Sequence, residues 1–308
     1  MTNSRTRFVL ITGCGEGGIG HALAKQFVVN GLSVIATLLP HEGRKHLDHP
    51  QIHVLDLDVT QEKEMLPFKK HVEAITAGNL DVLWDLSAPA LSILPDQAHV
   101  SPIGYTMTAA DTDVRQVEKM FAVNVFGPMR MVHHFHKMLV SARGVVVNIG
   151  SIGGVCPYVF GASYNATKAA LIHYGNTLRV EMKPFGVRVI NVISGEVSTN
   201  ILKSDMGDSR ALPEDSIYAP LAGLFKAHIN RTPDAMTPNE YAQGVVATVL
   251  KRSPPAWFWY GNSTLLVRTL DTFLPRTTWD WLFYRWFNLK TLEGTFTESG
   301  KESTSAQA

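Results

Sequence analysis

Three residues of this 308-residue chain have the types and spacing to move a proton: Ser151, Tyr164 and Lys168. Tyr164 and Lys168 stand four apart in Tyr164-Asn165-Ala166-Thr167-Lys168, a run that reads as the early part of a helix. Both side chains then share one helical face. An ammonium beside a phenol favours the phenolate, so Lys168 is expected to lower the pKa of Tyr164. A phenol tuned toward neutral pH can give or take a proton. Ser151 lies thirteen residues before Tyr164, just after the apolar run Val145-Val146-Val147-Asn148-Ile149. That run reads as a buried strand, which puts Ser151 at a strand's C-terminal end, where open α/β sheets take their ligands. A Tyr-x-x-x-Lys pair is equally at home on a solvated helix face. Its weight here comes from a second pattern at the start of the chain.

That pattern is Gly13-Cys14-Gly15-Glu16-Gly17-Gly18-Ile19-Gly20. The apolar run Phe8 to Thr12 precedes it, as expected of a central parallel strand. A helical run, His21 to Val29, follows and stops at Asn30-Gly31. Strand, glycine loop and helix form the context in which such glycines mean dinucleotide binding. The loop permits close backbone approach, and the helix N-terminus offers N–H groups to a pyrophosphate. A glycine-rich turn without a ligand is the less favoured alternative.

The remaining elements must position these residues. Leu32 to Thr37 reads as the second strand, and Thr37-Leu38-Leu39-Pro40 brings no acid to its end. A carboxylate there would hold the ribose of NAD, so its absence leans toward NADP. Arg44 and Lys45 are candidate phosphate partners or part of a solvated face. Ile52 to Leu57 reads as strand three, and Asp58 after it meets an adenine amino group or caps the next helix. Gln61 to Ala77 reads as a helix despite Pro67, and Leu80 to Trp84 as strand four. Asp85 to Gly104 holds three prolines and little periodicity. A helix from near Asp113 runs on to Phe135 and contains Asn124. His133, His134 and His136 lack a fourth partner for a metal and read as a partly exposed face, so no metal is expected. Strands Gly144 to Ile149 and Val187 to Ile193 flank the Tyr164 helix, which ends near Lys183. Ile201 to Pro220 reads as a substrate lid or a plain surface loop. Thr237-Pro238-Asn239-Glu240 opens a helix with a capping box, and Trp257 to Tyr260 is the last strand.

Composition limits what the whole can be. The chain is 45% apolar and 18% charged, enough for one large α/β domain with a buried core. A net charge of +1 argues against a nucleic-acid surface. Two cysteines, Cys14 and Cys156, make neither a disulfide framework nor a metal motif, which fits a reducing compartment. Met1 to Arg7 is polar and reads as no secretory leader, and no uncharged apolar run is long enough to span a bilayer. The reading divides the chain into a dinucleotide-binding and catalytic domain (1–260), an aromatic amphipathic extension (261–294) and a disordered tail (295–308). In the extension Trp279, Leu282, Phe283, Trp286 and Phe287 recur at helical spacing among Arg276, Arg285 and Lys290. Such a stripe suits a membrane interface, or a cover over the substrate pocket or a subunit contact.

The motifs together resemble the short-chain dehydrogenase/reductase family from about Phe8 to Tyr260. The matching residues are Thr12, Gly13, Gly18, Ile19 and Gly20; Asp58-Val59; Asn124 in Asn124-Val125-Phe126-Gly127; Ser151; Tyr164 with Lys168; and Gly195 with Val197 and Thr199. The resemblance implies a doubly wound parallel sheet of about seven strands, Rossmann-type, with helices on both faces. It implies NADP (NADPH) as cofactor, held by Gly13, Gly18, Ile19, Gly20, Asp58, Asn124, Tyr164, Lys168, Val197 and Thr199. Tyr164 would donate a proton to a substrate carbonyl, Ser151 would hydrogen-bond the reacting oxygen, Lys168 would tune Tyr164 and hold the nicotinamide ribose, and Asn124 would hold a water that links Lys168 to solvent. The chain is most similar to the branch of 1-acyl-dihydroxyacetone-phosphate reductases, on the extra loop residue, the run Tyr105 to Asp111 and the aromatic extension. This implies reduction of a hydrophobic ketone from lipid or specialised metabolism, a homo-oligomer, and a cytoplasmic-side location on endoplasmic reticulum or lipid droplets. Alcohol oxidation by the same site, or a cofactor-binding protein without activity, are the alternatives.

Three departures from the family stand out. Asp85-Leu86-Ser87-Ala88 replaces its Asn-Asn-Ala-Gly, Ser194 replaces the proline before Gly195, and Leu39 or Pro40 replaces an arginine after Thr37. Trp84 to Pro102 has no family counterpart and reads as translated intron sequence or as an insertion.

Overall fold

The protein is described by a computed structural model, which covers residues 5–85, 106–198, 210–231 and 234–293. The strands are β1 (Phe8–Ile11), β2 (Ser33–Leu38), β3 (Ile52–Asp56), β4 (Val82–Asp85), β5 (Val145–Ser151), β6 (Arg188–Ser194) and β7 (Trp257–Tyr260). They form one parallel sheet in the order β3-β2-β1-β4-β5-β6-β7. The chain moves outward from β1 to β3, then returns to place β4 against β1. That reversal opens a crevice at the C-terminal ends of β1 and β4. The expected doubly wound sheet is therefore the fold observed.

Helices α1 (Ile19–Val29), α2 (Glu62–Thr76), α3 (Val114–Phe121), α4 (Gly127–Ala142) and α5 (Ala162–Met182) are followed by α6 (Ala222–Ile229), α7 (Pro238–Val249), α8 (Thr264–Phe273) and α9 (Thr277–Trp286). Alternate strand residues feed two cores. Val9, Ile11, Val34, Ala36 and Val147 pack with α1 and α7 on one face. Leu10, Ile35, Leu83 and Val146 pack with α2, α4 and α5 on the other. Burial on both faces explains why these strands read as unbroken apolar runs.

Local chemistry sets the element ends. Gly31 takes φ +77° after α1, a left-handed conformation that a side chain would disfavour. Thr237 and Glu240 close the expected capping box, with the Glu240 amide 3.3 Å from Thr237 Oγ1 and the Thr237 amide 3.0 Å from Glu240 Oε2. The helix expected from Asp113 onward is divided. Residues Ala122–Phe126 wind as one π turn between α3 and α4, and Asn124 sits inside it. His133 is exposed on α4, and His134 pairs with Glu62 at 2.9 Å. Residues 86–105, with the departures at Leu86-Ser87-Ala88 and most of the Trp84 to Pro102 stretch, lie outside the described residues, as do 199–209 and the tail from 294.

Candidate active site

The glycine loop is built between β1 and α1. The Gly13 amide donates to Thr37 Oγ1 at 3.2 Å and the Cys14 amide to the Thr37 carbonyl at 2.9 Å, so the end of β2 pins the loop. Gly13 takes φ +66° and Gly17 φ +73°. A Cβ on Gly20 would run into the Gly13 carbonyl oxygen, so only glycine lets the first turn of α1 lie on the loop. Gly18 precedes α1 without a capping side chain, Ile19 opens the helix, and its first turn holds no acid. Its leading N–H groups and positive dipole end suit an anion. A dinucleotide's pyrophosphate fits this cradle.

The neighbouring edge carries the candidate adenosine residues. Arg44 reaches Asp56 at 2.6 Å, with half of its side chain exposed. Glu42 comes near the end of β2, but its carboxylate accepts the Leu39 amide at 2.7 Å and so closes a turn. Asp58 Oδ1 accepts the Thr60 amide at 2.9 Å and the Thr60 hydroxyl at 2.7 Å. It thus shapes the turn ahead of α2, while Gln61 occupies the cap position.

Ser151 ends β5, and its hydroxyl accepts the Gly153 amide at 3.1 Å. Tyr164 lies in the first turn of α5, where its phenol is near enough to the Ser151 hydroxyl for that hydroxyl to act on its pKa. Lys168 is buried one turn on and donates to the Ile149 carbonyl at 2.9 Å. Its ammonium lies over the Tyr164 ring, 5.7 Å from the centroid. The net shift of the Tyr164 pKa is upward, where a lowering was expected. Burial pushes that phenol above its ordinary range, the Ser151 hydrogen bond opposes the rise, and the Glu196 charge adds to it. Asn124 is buried beneath α5 and donates from Nδ2 to Thr167 Oγ1 at 3.1 Å. Thr167 in turn donates to the Tyr164 carbonyl at 2.8 Å. The π turn is thereby tied to the backbone of Tyr164.

Beyond β6, the Gly195 amide donates to the Tyr260 carbonyl at 3.0 Å, and Val197 is buried beside Met236. Thr199 lies outside the described residues. Two pairings here escaped sequence reasoning. Glu196 holds Arg231 at 2.6 Å, and the Ser194 hydroxyl hydrogen-bonds that of Tyr241. The unusual Ser194 was the one signal for the second pairing; nothing in the sequence marked Tyr241.

An aromatic cluster flanks this edge. Phe160 packs edge-on against Phe225 and Phe287, and Tyr158 against Phe283, Trp286 and Phe287. Trp279, Phe283 and Phe287 are buried. Most of the C-terminal stripe thus covers the segment leading to Tyr164, and only Trp286 of its large aromatics stays well exposed, at 63%. His228 sits among these rings with a pKa lowered to about 4, first by burial and then by the Arg231 charge.

The chain is similar to known proteins over most of its length. The profile of the short chain dehydrogenase family matches residues 7–209. A short-chain dehydrogenase of Pyricularia oryzae is 68% identical over 96% of this chain and 99% of its own. The NADPH-dependent 1-acyldihydroxyacetone phosphate reductase of Schizosaccharomyces pombe is 36% identical over 80% of this chain and 79% of its own. The crystal structure of a short-chain dehydrogenase from Streptomyces avermitilis superposes with a TM-score of 0.71 at 24% identity, covering 96% of this chain and 100% of that one, which speaks to the fold.

Proposed function

This chain belongs to the short-chain dehydrogenase family, and from that premise we propose that it is an NADPH-dependent reductase that turns a hydrophobic ketone into a secondary alcohol. The observation that carries the reading is the proximity of Ser151, Tyr164 and Lys168 at the C-terminal end of β5. The absence of a free acid at the end of β2, with Arg44 on the same edge, favours NADP over NAD. The NADPH dependence in the name of the Schizosaccharomyces pombe relative supports the same choice.

When bound, the cofactor supplies the hydride. Its pyrophosphate would lie against Gly13, Gly18, Ile19 and Gly20, with Asp58 toward the adenine and Val197 and Thr199 toward the nicotinamide. Lys168 would hold the ribose hydroxyls. Tyr164, a phenol protonated at neutral pH, gives its hydroxyl proton to the carbonyl oxygen. Ser151 donates a hydrogen bond where negative charge develops. Asn124 holds the backbone of Tyr164 through Thr167. The aromatic rings from Tyr158 to Phe287 favour an apolar substrate.

A peripheral contact with a lipid surface belongs to the same reading. Leu265, Leu266, Phe273, Trp281 and Trp286 are exposed on α8 and α9, beside Arg268, Arg276 and Arg285. Among the described residues no helix is long and apolar enough to cross a membrane. Apolar and basic side chains on short helices suit the interfacial plane.

The test is a fluorescence titration of the folded protein with NADPH and NADH, followed by turnover on a panel of ketones. NADPH is expected to bind more tightly, and Tyr164→Phe to keep binding while losing turnover by on the order of a hundredfold or more. Binding of neither nucleotide overturns the proposal, and preference for NADH overturns the cofactor assignment.

A further inference from the structure

Strands β5 and β6 end side by side, each on a serine, and Ser151 pairs in register with Ser194. Each serine stands beside a tyrosine, and the Ser194 hydroxyl hydrogen-bonds that of Tyr241. Tyr164 comes from α5 and lies near enough to Ser151 to feel its hydroxyl, and Tyr241 comes from α7. Ser194 and Tyr241 are both buried. The Tyr241 ring also packs 5.8 Å from that of Tyr260 at the end of β7. The two tyrosines are close enough that a charge on Tyr164 acts on Tyr241.

Ser194 is the last residue before the segment that would face the nicotinamide. Three backbone bonds hold that segment further on: Gly195 to Tyr260 at 3.0 Å, Met236 to Glu196 at 3.2 Å, and Ser198 to Met236 at 2.9 Å. The backbone of Ser194 is held in the ladder opposite Ser151 and Tyr260, and what remains open is its buried hydroxyl, which needs a partner. Tyr241 is the side chain that supplies one.

We propose that Tyr241 is a positioning residue: through Ser194 it fixes the end of β6, and so sets the spacing between the nicotinamide-side segment 195–198 and the Ser151–Tyr164 pair. Tyr241 touches no reacting atom. It acts by removing a rotational choice at Ser194 beside the residues that handle the proton. The inference rests on the function proposed above and reaches beyond it to a residue outside the motifs.

The test compares wild type with Tyr241→Phe, Ser194→Ala and the double variant. Tyr241→Phe keeps the ring and so keeps the core filled. NADPH affinity is read by tryptophan fluorescence, folding by thermal unfolding, and turnover as kcat against KM for the ketone. Each single variant is expected to weaken NADPH binding by about threefold to tenfold, the equivalent of one net hydrogen bond. The double variant should lose no more than the weaker-binding single, because both remove the same interaction. The fall in turnover should lie in kcat, with the ketone KM little changed. Unaltered NADPH affinity in Tyr241→Phe overturns the inference, and so does an additive loss in the double variant. A lower unfolding midpoint with wild-type affinity and kcat would reduce Tyr241 to a core residue. Wild-type protein that binds no NADPH overturns the function itself, a result distinct from variants that bind as the wild type does.

Discussion

The Tyr164 hydroxyl is kept protonated by loss of solvent and by the Glu196 carboxylate, against one hydrogen bond from Ser151. Glu196 therefore contributes, after burial, to where the activity falls away in alkali. Removing its negative charge stabilises the phenolate, so the pKa of Tyr164 falls. In Glu196→Gln the alkaline limb of kcat/KM for ketone reduction should move to lower pH. The unpaired Arg231 cation acts in the same direction. A limb that stays in place or moves upward would falsify this account. Ser151→Ala acts in the opposite sense on the pKa, since it removes the hydrogen bond that lowers it. It should also slow turnover by on the order of a hundredfold, because the developing charge loses a donor.

At the scale of elements, α5 is held by what its small residues allow to approach. A Cβ on Gly175 would run into the Asn191 side chain, which donates to the Ile172 carbonyl at 3.0 Å. Gly175→Ala should destabilise the protein by about 1–3 kcal/mol, seen as a lower unfolding midpoint. Gly223 in α6 has nothing within 4 Å of an added Cβ. Gly223→Ala should leave the midpoint unchanged or raise it, through lower entropy of the unfolded chain. His228 joins α6 to α9 and titrates against the fold. Its pKa is lowered to about 4 from 6.5, so its contribution to stability is complete above pH 6.5 and is lost as pH falls through about 4. The loss amounts to at most about 3 kcal/mol for a group that keeps some solvent. Urea unfolding of wild type and His228→Phe between pH 7 and pH 4 checks this, and the variant should show the shallower decline.

Across the whole molecule, the C-terminal helices face two ways. Trp279, Phe283 and Phe287 point into the cluster beside Tyr158 and Phe160, while Phe273 stands 78% exposed on the far side. Removing the helices outright would strip the inner cluster, so substitutions on the outer face separate the two roles. Replacing Leu266, Phe273 and Trp281 together with serine should leave the unfolding midpoint nearly unchanged and reduce sedimentation with anionic lipid vesicles severalfold. Equal sedimentation of the triple variant and wild type would remove the lipid surface from the proposed function.

The sequence by itself determined the sheet and the placement of its loop and helix motifs. The glycine loop, the Tyr164–Lys168 spacing and the Thr237–Glu240 cap are local, and helical period and backbone freedom decide them within a few residues. Tertiary structure decided the rest. Ser194 meets Tyr241 across 47 residues and Glu196 meets Arg231 across 35, distances over which no periodicity carries information. The direction of the Tyr164 pKa shift was hidden for the same reason. Spacing places Lys168 near the ring, but only the packed sheet edge shows its ammonium turned to the Ile149 carbonyl. The aromatic stripe of α9 could be read as a face, and what that face covers depended on the docking of a helix whose sequence specifies amphipathicity but not its partner.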